Sequence, residues 1–165
     1  MWAWHWALAP FAIHGLVMLW DEGFYHRRRG LGRWERWGHP ADTLTVLLCY
    51  TLALTLPGDS GSLILYAAAA AFSTLFVTKD EWVHAGACSG GEHWLHASLF
   101  ALHPVLLGLV GAHKWLGPRH AGDGHAFFHA FLLGQTAVTA AFLAWQTLYW
   151  NGPWKKPLPL PLRAD

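Results

Sequence analysis

Two stretches decide how this chain folds. The first is Asp21-Glu22-Gly23-Phe24-Tyr25-His26, followed across a basic loop by Gly38-His39-Pro40-Ala41-Asp42. The second is Asp80-Glu81-Trp82-Val83-His84, followed across a shorter loop by Glu92-His93-Trp94-Leu95-His96. Each places an Asp-Glu pair ahead of a histidine, then a turn, then a histidine with a second potential ligand three residues on. Everything around them is apolar. Titratable groups repeated inside a hydrophobic helical bundle predict a metal site, and their repetition predicts two ions or one shared between two halves.

Working outward, the 165 residues suffice for one domain, and only 13% are charged while 54% are hydrophobic, with 12 tryptophans. A soluble domain carries about 25% charge, so the composition is that of a membrane protein. The net charge of +1 gives no electrostatic footprint for nucleic acid. Cys49 is expected inside a helix and Cys88 in a loop, with no CxxC pair, so no structural disulfide is expected.

Five segments, about 2–24, 41–57, 61–82, 92–116 and 126–150, approach the length that a bilayer requires of a helix, roughly 20 apolar residues. Turns are expected at Gly38-His39-Pro40, Pro57 to Gly61, Gly90-Gly91 and Gly117-Pro118, and a kink at Pro104. The first span lacks a basic leader region and runs into acids, which predicts a retained helix rather than a signal peptide. The expected fold is an all-α integral membrane protein: a four-helix bundle of two parallel hairpin repeats (about 10–57 and 65–116), a fifth helix, and a Pro-rich tail over 153–165. Arg27, Arg28, Arg29, Arg33, Arg36, Lys79, Lys155, Lys156 and Arg163 fall on one side, against Lys114 and Arg119 on the other. The positive-inside rule then puts the N-terminus outside, the C-terminus in the cytoplasm and the acid–histidine cluster at the cytoplasmic face.

The candidate metal ligands are Glu22, His26, His39, Asp42, Glu81, His84, Glu92, His93 and His96, with Asp21 and Asp80 as supporting or alternative ligands. Spacings of three or four residues put pairs such as Glu22 and His26, or Glu81 and His84, on one helix face. Glu92 and Asp42 also suit a first helical turn as simple dipole partners. The Asp-Glu pairs do not. They sit at C-terminal helix ends, where the macrodipole opposes them by about 0.3–1 kcal/mol, in or beside a bilayer where an unpaired Asp costs up to roughly 3 kcal/mol. A bound cation answers both penalties; salt bridges from Arg27, Arg28, Arg29 and Lys79 are the alternative, purely electrostatic answer. Seven residues deeper, about 10 Å, lie His14 and His103, which could support the cluster or hold a haem. His113, His120, His125 and His129 gather at the opposite end, with Asp123 and the i,i+4 pair His125 and His129.

Histidines and acids at the cytoplasmic ends of membrane helices resemble, over about 14–103 and in residue type and placement, the membrane-bound di-iron hydroxylases and desaturases of the histidine-box class. The chain departs from their HxxxH and HxxHH boxes: its one HxxxH is His125 to His129, at the wrong end, and it has no HxxHH. Glu81-Trp82-Val83-His84 and Glu92-His93-Trp94-Leu95-His96 look more like carboxylate-bridged di-iron ligand sets. The resemblance implies two irons, oxygen chemistry on a lipid or other apolar substrate, and an electron-donor protein, since no flavin or nicotinamide fingerprint is present. Ligands without cysteine also admit zinc or manganese. Zinc would make the protein a membrane hydrolase, lowering a bound water to a pKa of roughly 7. A third reading is a haem or pigment carrier on His14 and His103, and a fourth an ion transporter, for which no acids continue toward the far side.

Overall fold

The computed structural model describes residues 4–117 and 123–152; the Pro-rich tail and, between the last two helices, Arg119 and His120 lie outside the described residues. Every described element is helical. A 3-10 turn (Trp4–Ala7) leads into α1 (Leu8–Trp20), which continues through a π-helical turn (Asp21–His26) into the short α2 (Arg27–Arg29). Gly30, at φ 75°, takes the left-handed conformation that ends this rod and lets the chain reverse. Next come α3 (Arg33–Thr55) and α4 (Ser60–Phe76), then a 3-10 turn (Val77–Asp80) that runs into α5 (Glu81–Ala87), and finally α6 (Gly90–Leu116) and α7 (Asp123–Asn151). Side chains start two of these helices: Asp59 accepts the Ser62 N–H, and Ser89 accepts the Glu92 N–H.

Five helical rods result. Three of them, Ser60–Ala87, Gly90–Leu116 and Gly124–Asn151, are long and apolar enough to cross a membrane. α1 has 13 residues, about 20 Å, and α3 opens with Arg33, Glu35 and Arg36. Neither meets that measure, although the sequence predicted five spans.

The rods place polar groups inside and apolar groups outside. Buried side chains include Asp21, Glu22, His26, Glu35, Asp80, His84, Glu92 and His96, whereas Leu16, Leu19, Leu48, Ile64, Leu75 and Leu133 are exposed. An apolar core of Phe11, Cys49, Tyr50, Tyr66, Leu107, Val110 and Phe128 fills the other end of the bundle. There the Tyr66 hydroxyl donates to the Leu107 carbonyl at 2.6 Å. Both cysteines are free.

Two expectations are corrected. Gly38-His39-Pro40 is not a turn but the second turn of α3, which begins at Arg33. Pro40 has no N–H to give the Arg36 carbonyl, and the Asn151 side chain donates to that carbonyl instead at 3.0 Å, so the helix passes through the proline. Likewise Gly90 and Gly91 open α6 rather than separate two helices. The first expected hairpin is also splayed: α1 packs on α6, while α3 packs chiefly on α7 and α4.

Candidate metal centre

The π turn sets the first ligands. A π-helix bonds i to i+5 rather than i+4, so His26 stacks over Asp21 as well as Glu22. Its Nε2 lies 3.2 Å from Asp21 Oδ2 and its Nδ1 lies 3.1 Å from Glu22 Oε2. The Trp150 indole N–H donates to the other oxygen of Glu22, fixing the carboxylate from α7. In α3, Glu35 and His39 are one turn apart; in α6, Glu92 and His96 have the same spacing. The α5 rod adds His84, whose Nδ1 contacts Glu81 at 3.3 Å and whose Nε2 lies 3.3 Å from Glu35 Oε1.

Four imidazoles thereby form a closed ring. The centroid separations are 4.5 Å for His26–His39, 6.3 Å for His39–His84, 4.4 Å for His84–His96 and 6.2 Å for His96–His26. Ligand atoms gather within 4.8 Å in overlapping groups: Asp21 with His26, Glu92 and His96; Glu22 with His26 and His39; Glu35 with His39 and His84; and His84 with Cys88 and His96. His39 Nε2, His96 Nδ1, Asp21 Oδ1 and Asp42 Oδ1 are buried without a hydrogen-bond partner, while His26 Nε2 and His84 Nε2 face carboxylate oxygens at 3.2 and 3.3 Å. Buried polar atoms are nearly always satisfied. Here two imidazole nitrogens and two carboxylate oxygens of one cluster are left without a partner.

Two cations hold the rim. Arg29 forks onto Glu35 at 2.7 and 3.0 Å and reaches Glu92 Oε1 at 3.1 Å, tying the starts of α3 and α6 together. Glu35 also accepts the Gly32 N–H at 2.8 Å. Burial by itself would push the Glu35 carboxyl up, but the bonds from His84, Arg29 and Gly32 hold it well below the ordinary carboxylate range. Burial, reinforced by the neighbouring His26, holds His39 well below the ordinary imidazole range, in the neutral form that a metal requires. Burial and Glu92 push the Cys88 thiol up to about 12, keeping it protonated. Lys79 bridges Asp42 at 2.6 Å and Asp80 at 3.0 Å, with the Trp34 indole also donating to Asp80. Gly38 makes this approach possible, since a Cβ there would meet Asp80 Oδ2 at 2.9 Å.

Of the expected ligands, Glu22, His26, His39, His84, Glu92 and His96 converge, and Asp21 joins them. Glu81, 43% exposed in its side chain, supports His84 from outside. His93 falls outside the ligand groups, and Asp42 and Asp80 are held by Lys79. Sequence reasoning missed Glu35, although Glu35-x-x-x-His39 has the spacing of Glu92-x-x-x-His96. It also missed α7, which supplies Trp150 and Gln146; the latter accepts from Thr43 at 2.7 Å. Deeper down, Ser73 links His103 (2.9 Å) to Thr45 (2.7 Å), and His14 lies 6.4 Å from His103 between ring centroids. At the opposite end His113 stacks on His125, with centroids 4.2 Å apart, and stands 6.1 Å from His129.

Below the four imidazoles is a cavity of about 90 Å³, walled by His39, His84, His96, His14 and His103 among others. Comparison of the chain with protein-family models, with curated proteins and with solved structures found no match.

Proposed function

We propose that this chain is an integral membrane protein that holds two transition-metal ions, iron foremost, in a histidine–carboxylate centre and uses them as an oxidoreductase. The observation that supports the reading is the convergence of four imidazoles from four rods with buried carboxylates from three, His39 Nε2 and His96 Nδ1 among them lacking hydrogen-bond partners. Charge favours a bound cation: Asp21, Glu22, Glu35 and Glu92 are four buried carboxylates in the ligand groups, against Arg29. One ion would sit among Asp21, His26, Glu92 and His96; the other among Glu35, His39 and His84, with Glu22 between them. Nitrogen and oxygen donors with a protonated thiol favour iron, manganese or zinc over copper(I).

The inside-out distribution of polarity supports membrane insertion, with five rods crossing or entering the bilayer, and the basic residues support a centre at the cytoplasmic face. The alternating ring separations support a duplicated half, in which His26 and His39 correspond to His84 and His96, and Glu35 to Glu92. A cavity of about 90 Å³ beside His14 and His103 has no room for a porphyrin, which disfavours the haem reading. Bound iron would supply redox chemistry with dioxygen. The protein's own residues hold the ions, keep His39 neutral and exclude bulk water, and reducing equivalents come from a partner protein.

The test is elemental analysis and an absorption spectrum of detergent-purified protein. Two irons per chain are expected, with loss in His39→Ala and His84→Ala and none in Glu81→Ala. Less than one transition metal per chain, or unchanged content in both histidine variants, would overturn the reading. Zinc without a chromophore would move the assignment to hydrolase chemistry.

A further inference from the structure

Because α1 leans on α6 rather than on α3, a gap opens between α1, α3 and α7. It is a groove of about 650 Å³, walled by Gly15, Leu19, Tyr50, Phe131, Val138 and Phe142 among others. That volume lies within the range of about 300–1,000 Å³ found for ligand pockets. We propose that this groove holds one hydrocarbon chain of a bilayer lipid, drawn in sideways, and lays it against the opening of the metal cavity.

Three observations point to that occupant. The first is length. The groove follows α1 from Leu8 to Leu19, which at 1.5 Å per residue is about 16 Å. One leaflet offers about 15 Å of chain, half of a hydrocarbon core of roughly 30 Å. The second is chemistry: the walls are mostly aliphatic and aromatic, with His14, Thr43, Gln135 and Thr139 among them, and Leu16 and Val138 at the outer edge are exposed and apolar, so a chain reaches the groove past apolar side chains. The third is continuity. His14, Met18, Thr43 and Val46 wall both the groove and the cavity beneath the four imidazoles. A chain lying in the groove therefore passes beside the centre over the stretch from His14 to Met18. The proposal rests on the metal-centre reading only for what is done to the chain; the binding stands by itself.

Gly15 is the place to test it, because a Cβ built there meets no atom within 4 Å. Gly15→Leu should fill the groove without disturbing the packing, and Val138→Trp fills it from α7. The purified protein is reconstituted in phosphatidylcholine vesicles containing a small fraction of phosphatidylcholine with a diazirine midway along one chain. After illumination, labelled peptides are mapped by mass spectrometry and metal content is measured on the same samples.

Labelling should concentrate on groove positions of α1 and α7 and be lost in Gly15→Leu and Val138→Trp, while both variants keep their metal. His84→Ala should lose metal and keep the labelling, so that the two readings fail separately. Labelling spread evenly over Leu44, Leu48 and Leu133 would mean annular lipid only and would overturn the proposal. So would labelling unchanged in both filling variants, or a groove free of label and crosslinked to a second copy of the chain.

Discussion

Arg29 does what the histidines cannot. Its guanidinium meets Glu35 and Glu92 together, so two carboxylates from different rods share one fork. A lysine keeps the charge and loses the geometry. Arg29→Lys is therefore expected to weaken metal binding by about 10–100-fold, the usual effect of removing support from behind a ligand, measured by competition with a chelator. Arg29→Ala leaves two buried acids facing each other and should destabilise the fold by about 3 kcal/mol in thermal unfolding. Glu35 adds an acid limit. Its folded-state pKa lies below its unfolded value, so its contribution is complete above the ordinary carboxylate range and is lost as the pH falls toward the folded value. Thermal stability of the metal-free protein should fall from roughly pH 4 downward, and Glu35→Gln should flatten that slope. Glu35 was legible only in hindsight: with Gly38-His39-Pro40 read as a turn, it lay in a loop among arginines, where a carboxylate needs no explanation.

At the scale of the element, Pro40 shows why that turn was misread. Proline inside a helix removes one backbone bond, and nothing nearby in sequence replaces it. The replacement comes from Asn151, 115 positions away from the carbonyl it satisfies. Asn151→Ala should cost about 1 kcal/mol in the wild-type background and close to nothing in Pro40→Ala, where an N–H returns to the ladder. A double-mutant cycle by thermal unfolding reads the difference. The same reasoning explains what was legible. The Asp-Glu pairs were expected at C-terminal helix ends, but both lie inside rods that continue, at a π turn and at a 3-10 turn; what announced a cluster was their charge, with histidines nearby, in an apolar chain. Trp150, Gln146 and the splaying of α1 from α3 depend on long-range packing, and no periodicity in α7 distinguishes the side chains that reach inward.

At one end of the described bundle, polar groups occupy the centre and apolar groups the surface, so the centre is both charged and buried. If the centre holds ions, removing them leaves the buried carboxylates Asp21, Glu22, Glu35 and Glu92 with Arg29 as their cation. Chelation is expected to lower the melting temperature measurably, and stepwise acidification to release the metal as the ligands take up protons, followed by metal content against pH. The π turn has a further consequence at this scale. Its extra residue is slack in the register between α1 and everything that follows. Deleting Gly23, where an added Cβ would meet nothing within 4 Å, would let Asp21–His26 close as an ordinary α turn. α1 would then swing by about 100° about its axis, since each residue accounts for that angle at 3.6 per turn. His14 and Met18 would leave the seam, and a different stripe of α1 would face outward. One glycine thus acts as the phase setting of the first helix, deciding which of its faces is turned outward and which to the centre.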